Sequence, residues 1–159
     1  MALHRHHVVR VLPYAPGKLF ELVGDVRAYP EFVPWVKAIR TGPTREEGEG
    51  VSVLEAEASV GFSILKERFS TRVRRDAGAL IIEVRLISGP FRALTNRWRF
   101  EADPKGTRIT FDIEFEFKSL LLEGLLRANF DSAVNRLIGC FETRARALYG
   151  AEAGAAAHA

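Results

Sequence analysis

Two polar residues fall on otherwise apolar faces of predicted strands. Glu67 shares one face of residues 65–73 with leucine and phenylalanine, and Asn96 alternates with Trp98 and Phe100. A polar group inside a protein needs a hydrogen-bond partner, because an unpaired one is costly to bury. Two interpretations stay open for each residue. It binds the polar head of a ligand or a trapped water, or it lies at a rim or makes an internal hydrogen bond.

Two histidines near the start of the chain have a spacing that suits metal ligands. His4 and His6 lie on one face of the first predicted strand. No third ligand is evident, so we interpret both as exposed strand histidines and predict no metal site. The chain also lacks a Gly-x-Ser-x-Gly turn, a phosphate-binding Gly-Lys-Ser/Thr loop and a Cys-x-x-Cys pair. A hydrolase, a nucleotide-dependent enzyme and a zinc protein are therefore disfavoured.

The basic residues gather in local clusters, although the net charge is only +3. The clusters are Arg72, Arg74 and Arg75, then Arg97 and Arg99, then Arg136, Arg144 and Arg146. Their alternating or helical spacing favours a solvated outer face. The overall charge is a weak indication of anionic partners.

Cysteine content and hydropathy bear on the compartment. Cys140 is the only cysteine, so an intrachain disulfide is excluded and the chain needs no oxidising compartment to fold. The first residues lack the apolar stretch of a secretory signal, and no later segment approaches the ~20 apolar residues of a membrane span. We expect a cytoplasmic protein, in which any membrane contact is peripheral and at the inner face.

Two short helices are predicted after a first strand. Pro16 suits the first position of one helix, and Pro30 can open the other. The second helix belongs to an apolar segment, 29–35, which contains Phe32 and Trp35. This segment either plugs the end of the core or closes over a cavity as a lid.

Six candidate strands and one long helix complete the domain. The strands lie between residues 36 and 117 and are separated by short turns, which predicts an antiparallel meander. Over 109–117 apolar and polar residues alternate, so that one face of the sheet is dry. Apolar residues at steps of three or four predict a single helix over 120–149. We therefore expect one α+β domain over 1–150 and a disordered tail over 151–159.

The dry face of the sheet is the surface that can cover the apolar stripe of the long helix. A twisted antiparallel sheet curves, so a helix laid in it cannot contact every strand equally. We predict an apolar, ligand-sized cavity beside the helix, with a filled core as the alternative. The predicted wall consists of Trp98, Phe111, Ile113, Phe115, Phe130, Val134 and Phe141. The predicted ligand-binding residues also include Phe32, Trp35, Glu67, Phe69 and Asn96.

Three local motifs carry a resemblance to a known family. They are Tyr-Pro-Glu-Phe-Val-Pro-Trp at 29–35, Gly-Pro-Phe at 89–91 followed by Trp98 and Phe100, and Phe-Glu-Thr-Arg-Ala-Arg-Ala-Leu-Tyr-Gly at 141–150. In these motifs and in its order of elements, the chain resembles the coenzyme Q-binding (ubiquinone-binding) START family of the polyketide cyclase/dehydrase and lipid transport superfamily. The resemblance implies a helix-grip fold, in which a curved antiparallel sheet of about seven strands wraps around a long C-terminal helix.

The same resemblance implies a function. It is the binding of ubiquinone or a related isoprenoid lipid by a non-catalytic carrier or chaperone that supports respiratory electron transfer. The lipid is then a bound ligand, and no cofactor or catalytic residue is required. The family also includes ribosome-association toxin proteins, so a ribosome-associated regulator of translation is an alternative, in which the arginines contact ribosomal RNA. No specific DNA binding is expected.

Two further hypotheses concern an enzyme and a membrane. A polyketide cyclase or dehydratase is the enzymatic alternative, and it needs a positioned acid or base, for which Glu67 is the candidate. A lipid carrier must also collect its lipid, and the leucines of 120–126 together with Phe91 suit transient contact with a membrane surface. Leu122 and Leu126 equally suit the start of the buried stripe.

Overall fold

One antiparallel sheet and a C-terminal helix dominate the computed structural model, which describes residues 3–62, 65–126 and 130–158. The elements are β1 (His4–Leu12), α1 (Pro16–Gly24), a 3₁₀ helix (Val26–Glu31), β2 (Val36–Thr41), β3 (Arg45–Gly48), β4 (Val51–Phe62), β5 (Leu65–Asp76), β6 (Ile81–Ser88), β7 (Phe91–Asp103), β8 (Gly106–Phe117), α2 (Leu120–Leu126) and α3 (Phe130–His158). The sheet order is β1-β8-β7-β6-β5-β4-β2, and β3 pairs with β4. Every pairing is antiparallel, so the predicted α+β helix-grip fold is confirmed.

The sheet has one short strand more than the sequence predicted. β3 is four residues long and exposed throughout, and it pairs with the start of β4, where Arg45 lies opposite Val53. Its sequence, Arg-Glu-Glu-Gly, has no apolar alternation. A strand that buries nothing leaves no period-two signal, which is why the pattern missed it.

The structure describes the C-terminal helical region in two parts, α2 and α3. A single helix over 120–149 was predicted, and residues 127–129 between the two parts lie outside the described ranges. Gly124 lies inside α2, and glycine costs about 1 kcal/mol relative to alanine in a helix interior. A seven-residue helix is not stable by itself. α2 therefore depends on the packing of Leu122 against the sheet.

α3 covers the sheet with a face that differs in part from the predicted stripe. Its fully buried side chains are Val134, Ile138, Phe141 and Ala145. Leu148, which belonged to the predicted stripe, is 50% exposed. The helix also continues to His158, where a disordered tail was predicted from residue 151. The tail is rich in alanine, the strongest helix former, so the helix continues through Gly150.

Two hydrophobic clusters divide the interior. The main core joins α1, the 3₁₀ helix and α3 to the middle of the sheet, and it includes Trp98, Phe111 and Phe141. The α2-end cluster consists of Leu94, Phe115, Phe117 and Leu122, with Phe69, Leu86 and Phe91 at its margin. Ile113 and Phe130 contact both clusters.

A close approach at Gly89 positions rings of the α2-end cluster. Gly89 has a φ of +144°, and a Cβ at this position would lie 2.4 Å from the Cβ of Phe69. Glycine is needed here because it tolerates this backbone conformation and has no side chain to clash. Phe91 then packs edge-on against Phe69, with 5.5 Å between the ring centroids. The Gly-Pro-Phe motif thus holds the β6–β7 turn against β5.

Candidate functional site

In the main core, the side chains of α3 and of the sheet fill most of the space between the two elements. The Trp98 ring lies edge to face with Phe111 and Phe141, at centroid distances of 4.7 and 5.0 Å. The pocket among these residues and Ile138 has a volume of about 10 Å³, which is room for one water. Ligand sites usually offer ~300–1,000 Å³. This pocket is therefore not the predicted ligand-sized cavity, because interdigitated rings fill the wedge between helix and sheet.

The structure divides most of the predicted ligand-binding residues between the two hydrophobic clusters. Trp98, Phe111, Val134 and Phe141 belong to the main core, and Phe32 packs against it. Phe115 belongs to the α2-end cluster, Phe69 lies at its margin, and Ile113 and Phe130 touch both clusters. Trp35, Glu67 and Asn96 are half-buried and belong to neither.

Asn96 makes internal hydrogen bonds with both ends of its amide. Its Nδ2 donates to the backbone oxygen of Asp112 at 2.9 Å, and its Oδ1 accepts from Trp98 Nε1 at 2.9 Å. The side chain thus fixes the indole that fills the main core. Of the two interpretations left open by the sequence, the structure shows the internal hydrogen bond.

Glu67 lies far from Asn96 on the sheet. The register sets Asn96 beside Val84 and Val84 beside Val73. Glu67 precedes Val73 on the same strand and lies about 20 Å from it at ~3.3 Å per residue. The Glu67 carboxylate is half-buried, and it forms no hydrogen bond or ion pair with any described residue. The two polar residues cannot act together on one substrate.

The apolar segment 29–35 closes one end of the main core. Phe32 packs edge-on against Phe141 at 5.3 Å, and the Arg144 guanidinium lies 5.3 Å from the Phe32 ring centre. The hydroxyl of Tyr29 donates to the backbone oxygen of Val23. Burial, assisted by the nearby charge of Asp25, raises the pKa of Tyr29 above its usual value. The segment is the plug that the sequence offered as one of two interpretations.

A histidine–glutamate pair that was not predicted from the sequence joins β1 to α2. His4 Nε2 and Glu123 Oε1 are 2.6 Å apart. The Glu123 side chain is 5% exposed and that of His4 is 19% exposed. The second carboxylate oxygen, Oε2, is buried and has no hydrogen-bond partner among the described residues. His4 is thus not the exposed strand histidine that we predicted.

Aromatic rings surround this pair. His4 stacks on Phe115 with 4.9 Å between centroids and 19° between planes, and Phe130 lies 6.1 Å away. His6 contacts the same Phe130 ring at 4.5 Å, and its Nδ1 is 2.9 Å from Asp131 Oδ1. Both histidines face the helices, and each pairs with a different carboxylate.

Two sequence signals could have found this pair. His4, His6 and Val8 share the more buried face of β1, which alternates in burial along its length. Glu123 is the only charged residue in the leucine-rich run of α2. A lone acid among leucines is a candidate for an inward position when a strand carries inward histidines. The sequence predicts a buried stripe or a membrane-contacting surface for the leucines of this segment, and it predicts no role for Glu123.

The surface of α2 is strongly apolar. Leu120 and Leu121 are 76% and 69% exposed, whereas Leu122 is buried in the α2-end cluster. Phe91, which we grouped with them, is partly buried and stacks on Phe117 at 5.3 Å. Within the described parts of the chain, no helix is both long and apolar enough to cross a membrane.

The outer face of the sheet concentrates arginines on three neighbouring strands. The register sets Arg72 of β5 directly opposite Arg85 of β6. In the next row Glu83 lies between Arg74 and Arg97, and it pairs with Arg97 at 3.9 Å. We refer to Arg72, Arg74, Arg85 and Arg97 as the outer arginine cluster. Arg85 forms no ion pair within the described part of the molecule.

A hollow of about 320 Å³ lies beside Arg85. It is lined by Glu83, Val84, Arg85, Thr95, Asn96, Arg97, Asp112, Ile113 and Glu114. These residues come from β6, β7 and β8, most of them are charged, and none is helical. The hollow therefore belongs to the sheet surface and not to the interface between helix and sheet.

Comparison with known proteins places this geometry in a family. A family model described as polyketide cyclase / dehydrase and lipid transport matches residues 12–142. The chain is 40% identical over 147 residues to the ribosome association toxin RatA of Pseudomonas aeruginosa, which covers 91% of this chain and 98% of that protein. It is 29% identical over 149 residues to the mitochondrial coenzyme Q-binding protein COQ10 homolog B of Xenopus laevis. That match covers 89% of this chain and 57% of the relative.

A solved structure extends the comparison. The 18 kDa protein CC1736 from Caulobacter crescentus is 56% identical, with a TM-score of 0.77, and the match covers 92% of this chain and 99% of that one. The family model spans most of the sequence, and the Pseudomonas and Caulobacter proteins align over nearly their whole lengths. The chain therefore belongs to the polyketide cyclase / dehydrase and lipid transport family.

Proposed function

We propose that this protein associates with the ribosome through the outer arginine cluster. The observation that carries the proposal is the position of Arg72 directly opposite Arg85 on the outer face of the sheet. On its other side Arg72 lies opposite Glu55 and pairs with it at 3.8 Å, whereas Arg85 forms no ion pair with the described residues. Like charges at opposed sheet positions destabilise a fold by about 0.2–1 kcal/mol. A ribosomal RNA phosphate placed between two such guanidinium groups reverses that repulsion and can accept hydrogen bonds from both.

The comparisons support the proposal. The Pseudomonas relative is named for ribosome association, and it matches the chain over 98% of its own length. The closed pocket of the main core is compatible with a role that uses the surface of the domain. The hollow beside Arg85 and Arg97 also offers a recess for a group that projects from a partner.

Sedimentation with ribosomes tests the proposal. Wild-type protein and the variant Arg72→Glu/Arg85→Glu are pelleted with purified ribosomes over a range of salt concentrations. We expect the variant to bind at least about tenfold more weakly. The slope of log affinity against log salt should become shallower by about 1.5, because each of the two lost phosphate contacts removes ~0.7–0.9 from it.

A control variant distinguishes the loss of the outer arginine cluster from a change in net charge alone. Arg45 on β3 and Lys105 in the β7–β8 turn are exposed and lie outside the cluster. Arg45→Glu/Lys105→Glu changes the net charge by the same amount and should bind as the wild type does. Equal weakening by both double variants would contradict a role for the cluster, and so would no weakening by either.

The second candidate function is the binding of ubiquinone or a related isoprenoid lipid, by a non-catalytic carrier or chaperone that supports respiratory electron transfer. Its support is the Xenopus relative, named for coenzyme Q binding, and the α2-end cluster, which lies directly behind the exposed Leu120 and Leu121. Burial of ~500 Å² of isoprenoid surface contributes about 12 kcal/mol gross. That is similar in size to the ~4–15 kcal/mol cost of association.

The test of this second candidate is mass spectrometry of an organic extract of the purified protein, together with flotation on liposomes. A quinone or another isoprenoid in the extract supports it, and Leu120→Ser/Leu121→Ser should reduce flotation by severalfold. An extract without isoprenoid lipid, combined with no flotation on neutral or anionic liposomes, would count against it.

A further inference from the structure

A short side chain creates the hollow on the outer face of the sheet. The register sets Thr95 of β7 between Arg85 of β6 and Glu114 of β8. Thr95 is much shorter than these two neighbours, so a depression of about 320 Å³ is left above it. Val84 and Ile113 also line the hollow, but their side chains pack against the main core, so their backbone forms its floor. The hollow is therefore open to a partner from the solvent side, and its volume falls within the ~300–1,000 Å³ of ligand sites.

The two walls of the hollow carry opposite charges. On the β6 side, Arg85 forms no ion pair with the described residues, and Arg72 lies directly behind it. On the β8 side, Glu114 pairs with Arg5 at 3.0 Å. A carboxylate can accept about four hydrogen bonds, so this ion pair leaves Glu114 able to accept more. An occupant that fits both walls has an anionic group at one end and hydrogen-bond donors at the other.

The distance between the walls selects the size of the occupant. Arg85 and Glu114 lie two strand spacings apart, which is about 10 Å at ~4.8 Å per spacing. An amino acid carries its ammonium and carboxylate groups on one carbon atom, so it is too short to reach both walls. In a nucleotide, the sugar and the base separate the phosphate from the Watson–Crick edge of the base. A nucleotide therefore suits the gap.

The carboxylate wall selects among the four bases. Guanine presents two adjacent donors, N1–H and N2–H₂, on its Watson–Crick edge, and these match the two oxygens of one carboxylate. Adenine and cytosine present an amino group beside a ring nitrogen that accepts, and uracil presents one N–H between two carbonyl oxygens. An acceptor on these bases faces the negative Glu114 and is repelled. Because single-stranded RNA is recognised through the edges of unstacked bases, Glu114 favours an unpaired guanine.

Two further acids fix the orientation of a bound strand. Asp112 and Glu83 line the hollow together with Glu114. Carboxylates repel a phosphate backbone, so a surface that contacts phosphate alone has no use for them. In this hollow the unpaired Arg85 lies on the β6 side and two of the three acids lie on β8. The charges therefore direct the backbone toward the arginines and the base toward Glu114.

We propose that the hollow binds an unpaired guanosine of an RNA strand, with its phosphate between Arg72 and Arg85 and its Watson–Crick edge on Glu114. This inference rests on the proposed ribosome association and deepens it, because it names the group of the RNA that the sheet recognises. The outer arginine cluster has more guanidinium groups than a single phosphate needs, so an RNA strand is favoured over a free nucleotide.

Short RNA strands test the base preference. The full chain is titrated by fluorescence anisotropy with labelled heptamers of uridine in which the central residue is guanosine, adenosine or inosine. We expect the guanosine strand to bind about tenfold more tightly than the adenosine strand, because one well-paired base edge discriminates by about that ratio. Inosine lacks the N2 amino group, so its strand should lie between the two. Guanosine 5′-monophosphate, used as a competitor, should bind at least about tenfold more weakly than the guanosine strand.

Glu114→Gln assigns the preference to the carboxylate. The amide keeps the shape of the side chain but replaces one acceptor oxygen with a donor, so the guanosine and adenosine strands should bind alike. Affinity for the adenosine strand should not fall, because the loss of a negative charge favours RNA. The matched control is Glu116→Gln, on the same face of β8 but outside the hollow, and it should keep the preference of the wild type. Thermal unfolding verifies that both variants are folded.

The outcomes separate the guanosine site from ribosome association. Equal binding of the guanosine and adenosine strands, or binding of neither, overturns the guanosine site, whereas ribosome pelleting that depends on Arg72 and Arg85 still supports the proposed function. A preference for guanosine that survives in Glu114→Gln, or that is lost in Glu116→Gln, overturns the assignment to Glu114. Guanosine monophosphate that binds as tightly as the guanosine strand overturns the assignment to an RNA strand.

Discussion

The main core and the α2-end cluster are both built from aromatic and aliphatic side chains, but they differ in whether their buried polar groups are hydrogen-bonded. In the main core the Trp98 indole donates to Asn96, and the remaining pocket has a volume of about 10 Å³. In the α2-end cluster Glu123 keeps a buried oxygen without a partner among the described residues. The polar groups of the main core are therefore hydrogen-bonded, whereas the unpaired Glu123 oxygen lowers the stability of the α2-end cluster. Buried groups that lower stability are often found at functional sites.

The largest effect should come from truncating rings in the two regions. Phe111 and Phe115 are equally buried, in the main core and the α2-end cluster respectively. Phe111→Ala should lower the free energy of unfolding by about 4 kcal/mol, because a closed core cannot collapse around the cavity. Phe115→Ala should cost about 2–3 kcal/mol, since α2 can move inward. Guanidinium unfolding measures both variants. Equal losses in the free energy of unfolding would contradict the proposed difference between the two regions.

A smaller effect is expected from His4→Phe. The substitution leaves Glu123 buried without its partner, which should cost about 3 kcal/mol. The double variant His4→Phe/Glu123→Leu should be as stable as the wild type or more stable, because an apolar pair of similar size has no charge to desolvate. Urea unfolding at neutral pH measures the two variants side by side. A double variant less stable than His4→Phe alone would mean that the pair stabilises the fold.

Asn96→Leu should have a moderate effect. The change removes the acceptor of Trp98 Nε1 and the donor to the Asp112 backbone oxygen, at a cost of about 2 kcal/mol. Guanidinium unfolding of the variant and the wild type measures the loss. An unchanged free energy of unfolding would contradict the structural role of the Asn96 amide.

The smallest effect on stability is expected on the outer face of the sheet, where neither cluster is touched. Arg85→Glu replaces the like-charge pair with Arg72 by an opposite-charge pair, so stability should rise by about 0.5 kcal/mol. Ribosome association should nevertheless weaken. Thermal unfolding at low salt and ribosome pelleting provide the two measurements. A variant that loses stability and keeps its affinity would contradict the proposed role of the cluster.

The architecture could be predicted from the sequence because it follows from periodicity. The alternation over β8 and the three-to-four spacing in α3 reflect which faces are buried, so the helix-grip fold was predicted correctly. β3 was not predicted, because a strand that buries nothing leaves no alternation of apolar and polar residues.

The candidate sites were less predictable, since they depend on contacts between distant parts of the chain. Whether curvature leaves a cavity depends on how far rings such as Trp98 and Phe141 interlock, and a pattern of apolar positions does not contain that information. The pairing of His4 with Glu123 joins residues that are 119 positions apart in the sequence. The opposition of Arg72 and Arg85 needs the strand register, which turn signals locate only to within a few residues.

Chemical labelling of arginines with phenylglyoxal, with and without ribosomes, tests the central claim most directly. The labelled protein is digested, and the modification of each arginine is measured by mass spectrometry. We expect ribosomes to protect Arg72 and Arg85 from labelling by severalfold, while Arg45 on β3 is labelled equally in both samples. If the protein pellets with ribosomes while Arg72 and Arg85 remain as reactive as in the free protein, the outer arginine cluster is not the contact surface.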